Sequence, residues 1–177
     1  MIPLVVMLVA WIAFRLAGAS GRFPAAASTV GALRFALAVM FVFTAASHFL
    51  PNTRPDLVRM VPPVFPFAEH LVTVTGILLF AGAAGLIVSS LTSLAAYCLI
   101  ALLVAMFPAN VYAAVAGLEI AGREATPLVW RVPLQLFWIG ALWWVAREHR
   151  RPNRALSAPA GPRNRDGVLG KDGVRPG

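Results

Sequence analysis

The amino-acid sequence predicts an all-α integral membrane helical bundle, and three observations predict it. From Leu71 to Leu118 run 48 residues without one formally charged side chain. A water-soluble domain needs charged faces within such a length, whereas two hydrocarbon-crossing helices of about 20 residues each need none. The chain is 59% hydrophobic and only 12% charged, against roughly 25% charged in soluble domains. Finally, five apolar segments stand at about 2–17, 32–49, 68–88, 94–117 and 128–146, so one transmembrane domain over residues 1–149 is expected.

The first segment is short and ends near Arg15. Nothing basic precedes Ile2-Pro3-Leu4-Val5-Val6, as a basic n-region would in a cleaved export signal, so the segment is expected to stay as a span. Gly18-Ala19-Ser20-Gly21-Arg22-Phe23-Pro24 is a turn-rich link. Arg34 falls in the first turns of the second span, where an arginine is expected to snorkel to the headgroups. That span closes on Ala46-Ser47-His48-Phe49-Leu50-Pro51. His48 lies 14 residues after Arg34, about 21 Å along a helix axis, so the two belong to opposite membrane faces.

Residues 51–66 hold five prolines, which deny the stretch a continuous helix. A short interfacial turn is expected at Leu57–Val61, with Pro62 and Pro63 as structural positions. Glu69 opens the third span, where free amides and the helix dipole favour a carboxylate. Gly76, Gly82 and Gly85 are read as packing positions, because small residues let helices approach closely in lipid. The hydroxyls of Ser89-Ser90-Leu91-Thr92-Ser93 suit a tight reversal. In the fourth span Pro108 deprives Val104 of its helix partner and should bend the axis, and the Asn110 side chain can either satisfy a freed carbonyl or face a cavity. Cys98, the one cysteine, cannot form an internal disulfide and is read as a small buried hydrophobe. In the last span Arg131 and Gln135, four apart, share a helix face, and Trp143 and Trp144 suit an interface belt.

The net charge of +8 is unevenly placed: residues 147–177 carry eight basic and three acidic side chains. Residues 150–177 are expected to be a disordered, basic cytoplasmic tail. With the tail inside, five spans put the N-terminus outside, and Arg15, Arg22 and Arg34 also fall inside. His48, Glu69, His70, Asn110, Arg131 and Gln135 then converge on the outer side. Polar groups within spans are costly and turn inward or toward each other. An outward-opening polar pocket roofed by the proline loop is therefore expected, with His48, Glu69, Asn110, Arg131 and Gln135 as its ligand-binding or lining residues.

Several chemistries find no support. Basic surface interleaved with aromatics is absent, so nucleic acid is not the partner. His48, Glu69 and His70 make a poor metal triad, since His70 diverges from Glu69 by roughly 100° on a helix. A hydrolase nucleophile in its usual context and a glycine-rich phosphate loop are both missing. Haem ligation is not indicated either, because His149 falls at the other face. No catalytic residue is assigned.

The stretches Phe43-Thr44-Ala45-Ala46-Ser47-His48-Phe49, Met60-Val61-Pro62-Pro63, Thr75-Gly76 onward to Leu86, Phe107-Pro108-Ala109-Asn110 and Arg131-Val132-Pro133-Leu134-Gln135 together resemble the DoxX-like membrane proteins of bacteria, over about residues 30–147. The resemblance implies a four-helix core, with the first segment as an added N-terminal transmembrane helix, in the bacterial cytoplasmic (inner) membrane. The family takes its name from a small subunit associated with a terminal quinol oxidase and thiosulfate oxidation. Relatives commonly carry a Glu after the Thr-Gly pair, where this chain has apolar Ile77-Leu78-Leu79, so a proton or redox role for that carboxylate is not implied.

The leading expectation is a non-catalytic or accessory component of a membrane-associated respiratory or redox system, with protein partners from that system. A quinone-binding oxidoreductase subunit is the first alternative, with His48 and Asn110 donating to a quinone oxygen and Arg131 stabilising negative charge. A small-solute transporter is the second, although only the fourth span is visibly interrupted.

Overall fold

The computed structural model describes residues 2–120, 123–124 and 127–156. Within them lie six α-helices: α1 (Ile2–Ala19), α2 (Thr29–Ser47), α3 (Arg54–Arg59), α4 (Ala68–Ile87), α5 (Thr92–Val115) and α6 (Leu128–Leu156). A 3-10 turn at Pro24–Ala26 precedes α2, and a two-residue antiparallel ladder, β1 (Glu119–Ile120) with β2 (Arg123–Glu124), links α5 to α6. α1, α2, α4, α5 and α6 (Leu128–Arg150) are each long and apolar enough to cross a membrane. The protein is thus a multi-pass, membrane-spanning helical bundle. The basic tail expected from residue 150 is helical as far as Leu156, and the rest of it lies outside the described residues.

α2 is the axis of the bundle. Ala32, Leu33, Arg34, Phe35, Ala36, Leu37 and Ala38 are buried in unbroken succession. Because a helix turns once in 3.6 residues, seven buried in a row leave no face uncovered. α4 and α1 flank α2, α5 packs between α4 and α6, and α6 returns to α2 and closes a four-helix ring. α1 lies outside that ring against α2. Its Met7 is buried while Ile2, Val5, Leu8, Val9, Ile12 and Leu16 are exposed, the pattern of a helix whose outer surface meets lipid tails. α2 starts three residues earlier than expected because Ser28 caps it, its hydroxyl accepting from the Gly31 amide at 2.9 Å.

The interior is built from small side chains. Ala83, Leu86, Ala95, Ala96, Leu99, Ala141, Leu142 and Ala146 belong to one buried cluster with the central helix. α4 and α5 touch closely because α4 lacks side chains at the crossing. A Cβ at Gly82 would enter the Leu99 side chain, and one at Gly85 would sit 2.7 Å from the Ala95 Cβ. The turn between these helices is closed by Thr92, fully buried, whose hydroxyl donates to the Val88 carbonyl at 3.0 Å and also contacts the Leu86 carbonyl at 3.3 Å.

Two expectations change here. Cys98 is exposed on the outer surface of α5 and not buried, because the α5 residues that turn inward, Ala95, Ala96 and Leu99, lie on the other side of the helix. Arg34 is not extended into the surroundings but turned into the bundle, where it bonds Thr92 and Ser89. It is only 8% exposed, since α1, α4 and α6 surround the helix that carries it.

Close contact at Gly82 has a measurable consequence. Gly82→Val should lower stability in uncharged detergent by about 1 to 3 kcal/mol through overpacking, while Gly140→Ala, which meets open space, should leave it level or slightly raised. Thermal unfolding of the two purified variants separates these outcomes, and equal losses would contradict the close crossing.

Candidate functional site

The polar residues of one bundle end are delivered by four different elements. α2 ends at Ser47, and His48 follows as its C-cap, 3% exposed. Its ring is seated by α4. A Cβ at Gly76 would lie 2.8 Å from both the His48 Cβ and the Phe49 ring, so glycine there lets the end of α2 press against α4. Nδ1 lies 3.0 Å from the Val72 carbonyl and 3.3 Å from the Thr75 hydroxyl, whose own proton has the Leu71 carbonyl at 2.8 Å to bond. A carbonyl can only accept, so Nδ1 carries the hydrogen. In the neutral ring Nε2 is then a bare acceptor.

The second unit joins α5 to α6. Arg131 donates from Nη1 to the Asn110 side-chain oxygen at 2.9 Å, with the Asn110 backbone carbonyl at 3.5 Å. A guanidinium has no acceptor, so this bond fixes which side-chain atom of Asn110 is oxygen, and its NH2 group is left as a donor. Asn110 therefore does not repair the backbone opened by Pro108. Gln135 reaches α5 from across the interface, donating from Nε2 to the Leu103 carbonyl at 2.7 Å, one residue before the carbonyl that Pro108 leaves without its helix partner.

These residues border two adjoining cavities. One of 220 Å³ lies under the proline loop and is lined by His48, Met60, Val61, Pro62, Thr75 and Asn110 among others. The other, 260 Å³, reaches into the bundle and is bordered by His48, Phe41, Asn110, Arg131, Gln135 and Trp138 among others. His48, Leu57, Met60, Met106 and Asn110 line both. The walls are otherwise apolar, as suits a site that takes a greasy molecule and orients it by a few polar groups.

Glu69 stands apart from the other four residues expected here. It is exposed in the first turn of α4 and borders neither cavity. Only its backbone carbonyl enters the network, near Arg54 and Thr73. A first-turn residue on the outer side of α4 points away from the ring, which explains the difference. Pro62 lines the upper cavity, whereas Pro63 is exposed.

Arg54 and the short helix α3 form the roof. Arg54 donates from Nη1 to the His48 carbonyl at 3.0 Å and from Nη2 to the Thr73 hydroxyl at 2.9 Å, tying the loop to the ends of both α2 and α4. Thr53 adds a bond from its hydroxyl to the Ser47 carbonyl at 2.5 Å. Arg59 closes on the buried carboxylate of Asp56 within α3. Arg54 is not singled out by the sequence analysis. Its place six residues after His48 was the available signal, since a helix end leaves carbonyls that need donors. The chain then enters α4 through Phe67, whose left-handed backbone (φ 58°) turns it sharply.

A family model described as a domain of unknown function (DUF8561) matches residues 37–146. That span takes in His48, the proline loop, Asn110, Arg131 and Gln135, and it leaves out α1. No curated protein and no solved structure matches.

The roof should loosen when its tie is removed. Replacing Arg54 by Met is expected to raise amide hydrogen exchange in α3 by about tenfold, from the loss of charge-assisted bonds, without faster exchange in the middle of α4. Unchanged protection of α3 would show that Arg54 does not hold the loop.

Proposed function

The chain belongs to the DUF8561 family, whose description assigns no activity, and from that premise we propose that it binds a lipid-soluble molecule with a hydroxylated ring head, a quinol above all, in the cavities beside His48. The observation that carries this reading is the polarity of the two groups that border both cavities. Arg131 occupies the Asn110 oxygen and leaves an NH2 donor, while Val72 occupies Nδ1 of His48 and leaves Nε2 as an acceptor.

A quinol hydroxyl can donate to His48 Nε2, and a quinol oxygen can accept from the Asn110 amide. A quinone has two acceptors and no donor, so it satisfies Asn110 but not neutral His48. The assignment thus reverses one part of the sequence-based expectation, in which His48 donates to a quinone oxygen. The apolar walls, including Phe41, Met60, Met106 and Trp138, would cover the ring and the start of an isoprenoid tail. Arg131, beside the same amide, adds positive potential that favours a phenolic oxygen.

In this reading the protein is a DoxX-like accessory component of a respiratory or redox system in a bacterial inner membrane. The basic link and tail lie on the cytoplasmic side, and the His48 end opens outward. Quinol binding is what such a component would contribute to its partners.

The test is a titration of the full chain in uncharged detergent with a short-tailed ubiquinol and its oxidised form, read by tryptophan fluorescence. Saturable quenching is expected, tighter for the reduced form. His48→Ala and Asn110→Leu should each weaken it by about tenfold, the usual worth of one lost bond to a buried partner. No saturable change, or affinities that ignore both substitutions, would refute the proposal.

A further inference from the structure

The opposite end of α2 holds a second recess, of 620 Å³, bordered by Ser28, Gly31, Arg34, Ser89, Glu148 and His149. It lies between the first turn of α2, the α4–α5 turn and α6. Arg34 dominates its chemistry. The guanidinium belongs to a residue only 8% exposed, and its carbon lies 4.5 Å above the Phe35 ring. Nη1 donates to the Thr92 hydroxyl at 3.2 Å and reaches the Ser89 hydroxyl at 3.4 Å. Both hydroxyls are neutral. Nε is buried with no hydrogen-bond partner.

A buried guanidinium served only by hydroxyls and an aromatic face is an unbalanced charge, and its planar fork of donors matches the oxygens of an oxyanion. The recess adds donors of the same kind. Val30 of its wall lies in the first turn of α2, where the amides that the Ser28 cap leaves open project from the positive end of the helix dipole, the Gly31 amide being taken by the Ser28 hydroxyl. His149 is held to the α4–α5 turn through Nε2, whose hydrogen is taken by the Ser89 carbonyl at 2.6 Å, so it shapes the wall without adding a donor. Glu148 is the one carboxylate on the wall among the described residues, and it is itself engaged.

The geometry points to a phosphate-type oxyanion site at this end of the bundle, in which Arg34, the hydroxyls of Ser28 and Ser89 and the first-turn amides of α2 bind either the headgroup of an anionic lipid or free phosphate. The site is independent of the cavities at His48 and of any ligand they take.

The full chain, purified in uncharged detergent, distinguishes the two sources. Native mass spectrometry with phosphatidylglycerol and phosphatidylcholine reads the lipid, and equilibrium dialysis with inorganic phosphate reads the free ion. Preferential retention of phosphatidylglycerol, reduced about tenfold in Arg34→Gln, identifies a headgroup site. Saturable phosphate binding with the same loss identifies a site for the free ion. Should Arg34→Gln fail to fold, Ser89→Ala still decides, because it removes one hydroxyl of the site at an exposed position and should weaken whichever probe is held several-fold. The inference is overturned if neither probe binds selectively, if Arg34→Gln folds and binds as the unaltered chain does, or if Ser89→Ala leaves binding unchanged or stronger.

Discussion

Burial of the first half of α2, all round from Ala32 to Ala38, is the constraint on which the rest of the structure depends. An apolar helix surrounded by others makes no polar demands along its middle, since every backbone group is satisfied within the helix. Its two ends are different. Arg34 in the second turn and His48 at the C-cap are both buried, and neither can rely on bulk water. Each therefore dictates what neighbouring elements must carry. The Arg34 end takes hydroxyls from Ser89 and Thr92 in the α4–α5 turn. The His48 end takes a carbonyl from Val72, a hydroxyl from Thr75 and the Arg54 clamp across its backbone oxygen.

The same logic sets the hydrogen-bonding character of the cavities. A group with one free valence becomes a donor or an acceptor according to what holds its other side. Val72 fixes the His48 tautomer, and Arg131 fixes the Asn110 amide. Neither fixing residue needs to touch a ligand to decide which ligand fits. Gln135 completes the arrangement from α6 by bonding the Leu103 carbonyl. That bond ties α6 to α5 without engaging Asn110, and the side chain two residues beyond the proline stays available to the cavity.

Much of the architecture was legible in the sequence because lipid imposes a simple rule: long uncharged runs become helices that satisfy their own backbones. The boundaries of α1, α2, α4 and α5 fall within three residues of the apolar segments while α6 runs ten residues past the fifth, and the hydroxyl-rich turn before α5 bonds locally as those residue types allow. What was illegible is which helix lies in the middle. All five spans are apolar on every side, so periodicity does not separate a lipid-facing surface from a helix-facing one. Arg34 was for that reason read as reaching for headgroups, Cys98 as buried and Glu69 as part of the pocket. The convergence of His48, Asn110, Arg131 and Gln135 could be seen from topology alone, because alternating spans bring alternate ends together. The individual bonds could not. Asn110 had two readings by position, satisfying a carbonyl freed by Pro108 or facing a cavity, and only the approach of α6 to α5 decides what its oxygen bonds.

The distance between the two ends constrains how they can influence each other. Arg34 and His48 are 14 residues apart on one helix, about 21 Å along its axis, and no direct electrostatic contact spans that length of packed hydrocarbon side chains. Coupling between a ligand at one end and a ligand at the other would have to travel as a shift or tilt of α2 itself. Its surroundings resist such motion on both sides, since α1 packs along α2 as extensively as α4 does and His48 closes against Gly76. A bundle built this way holds its two polar ends as separate sites on a common rigid axis.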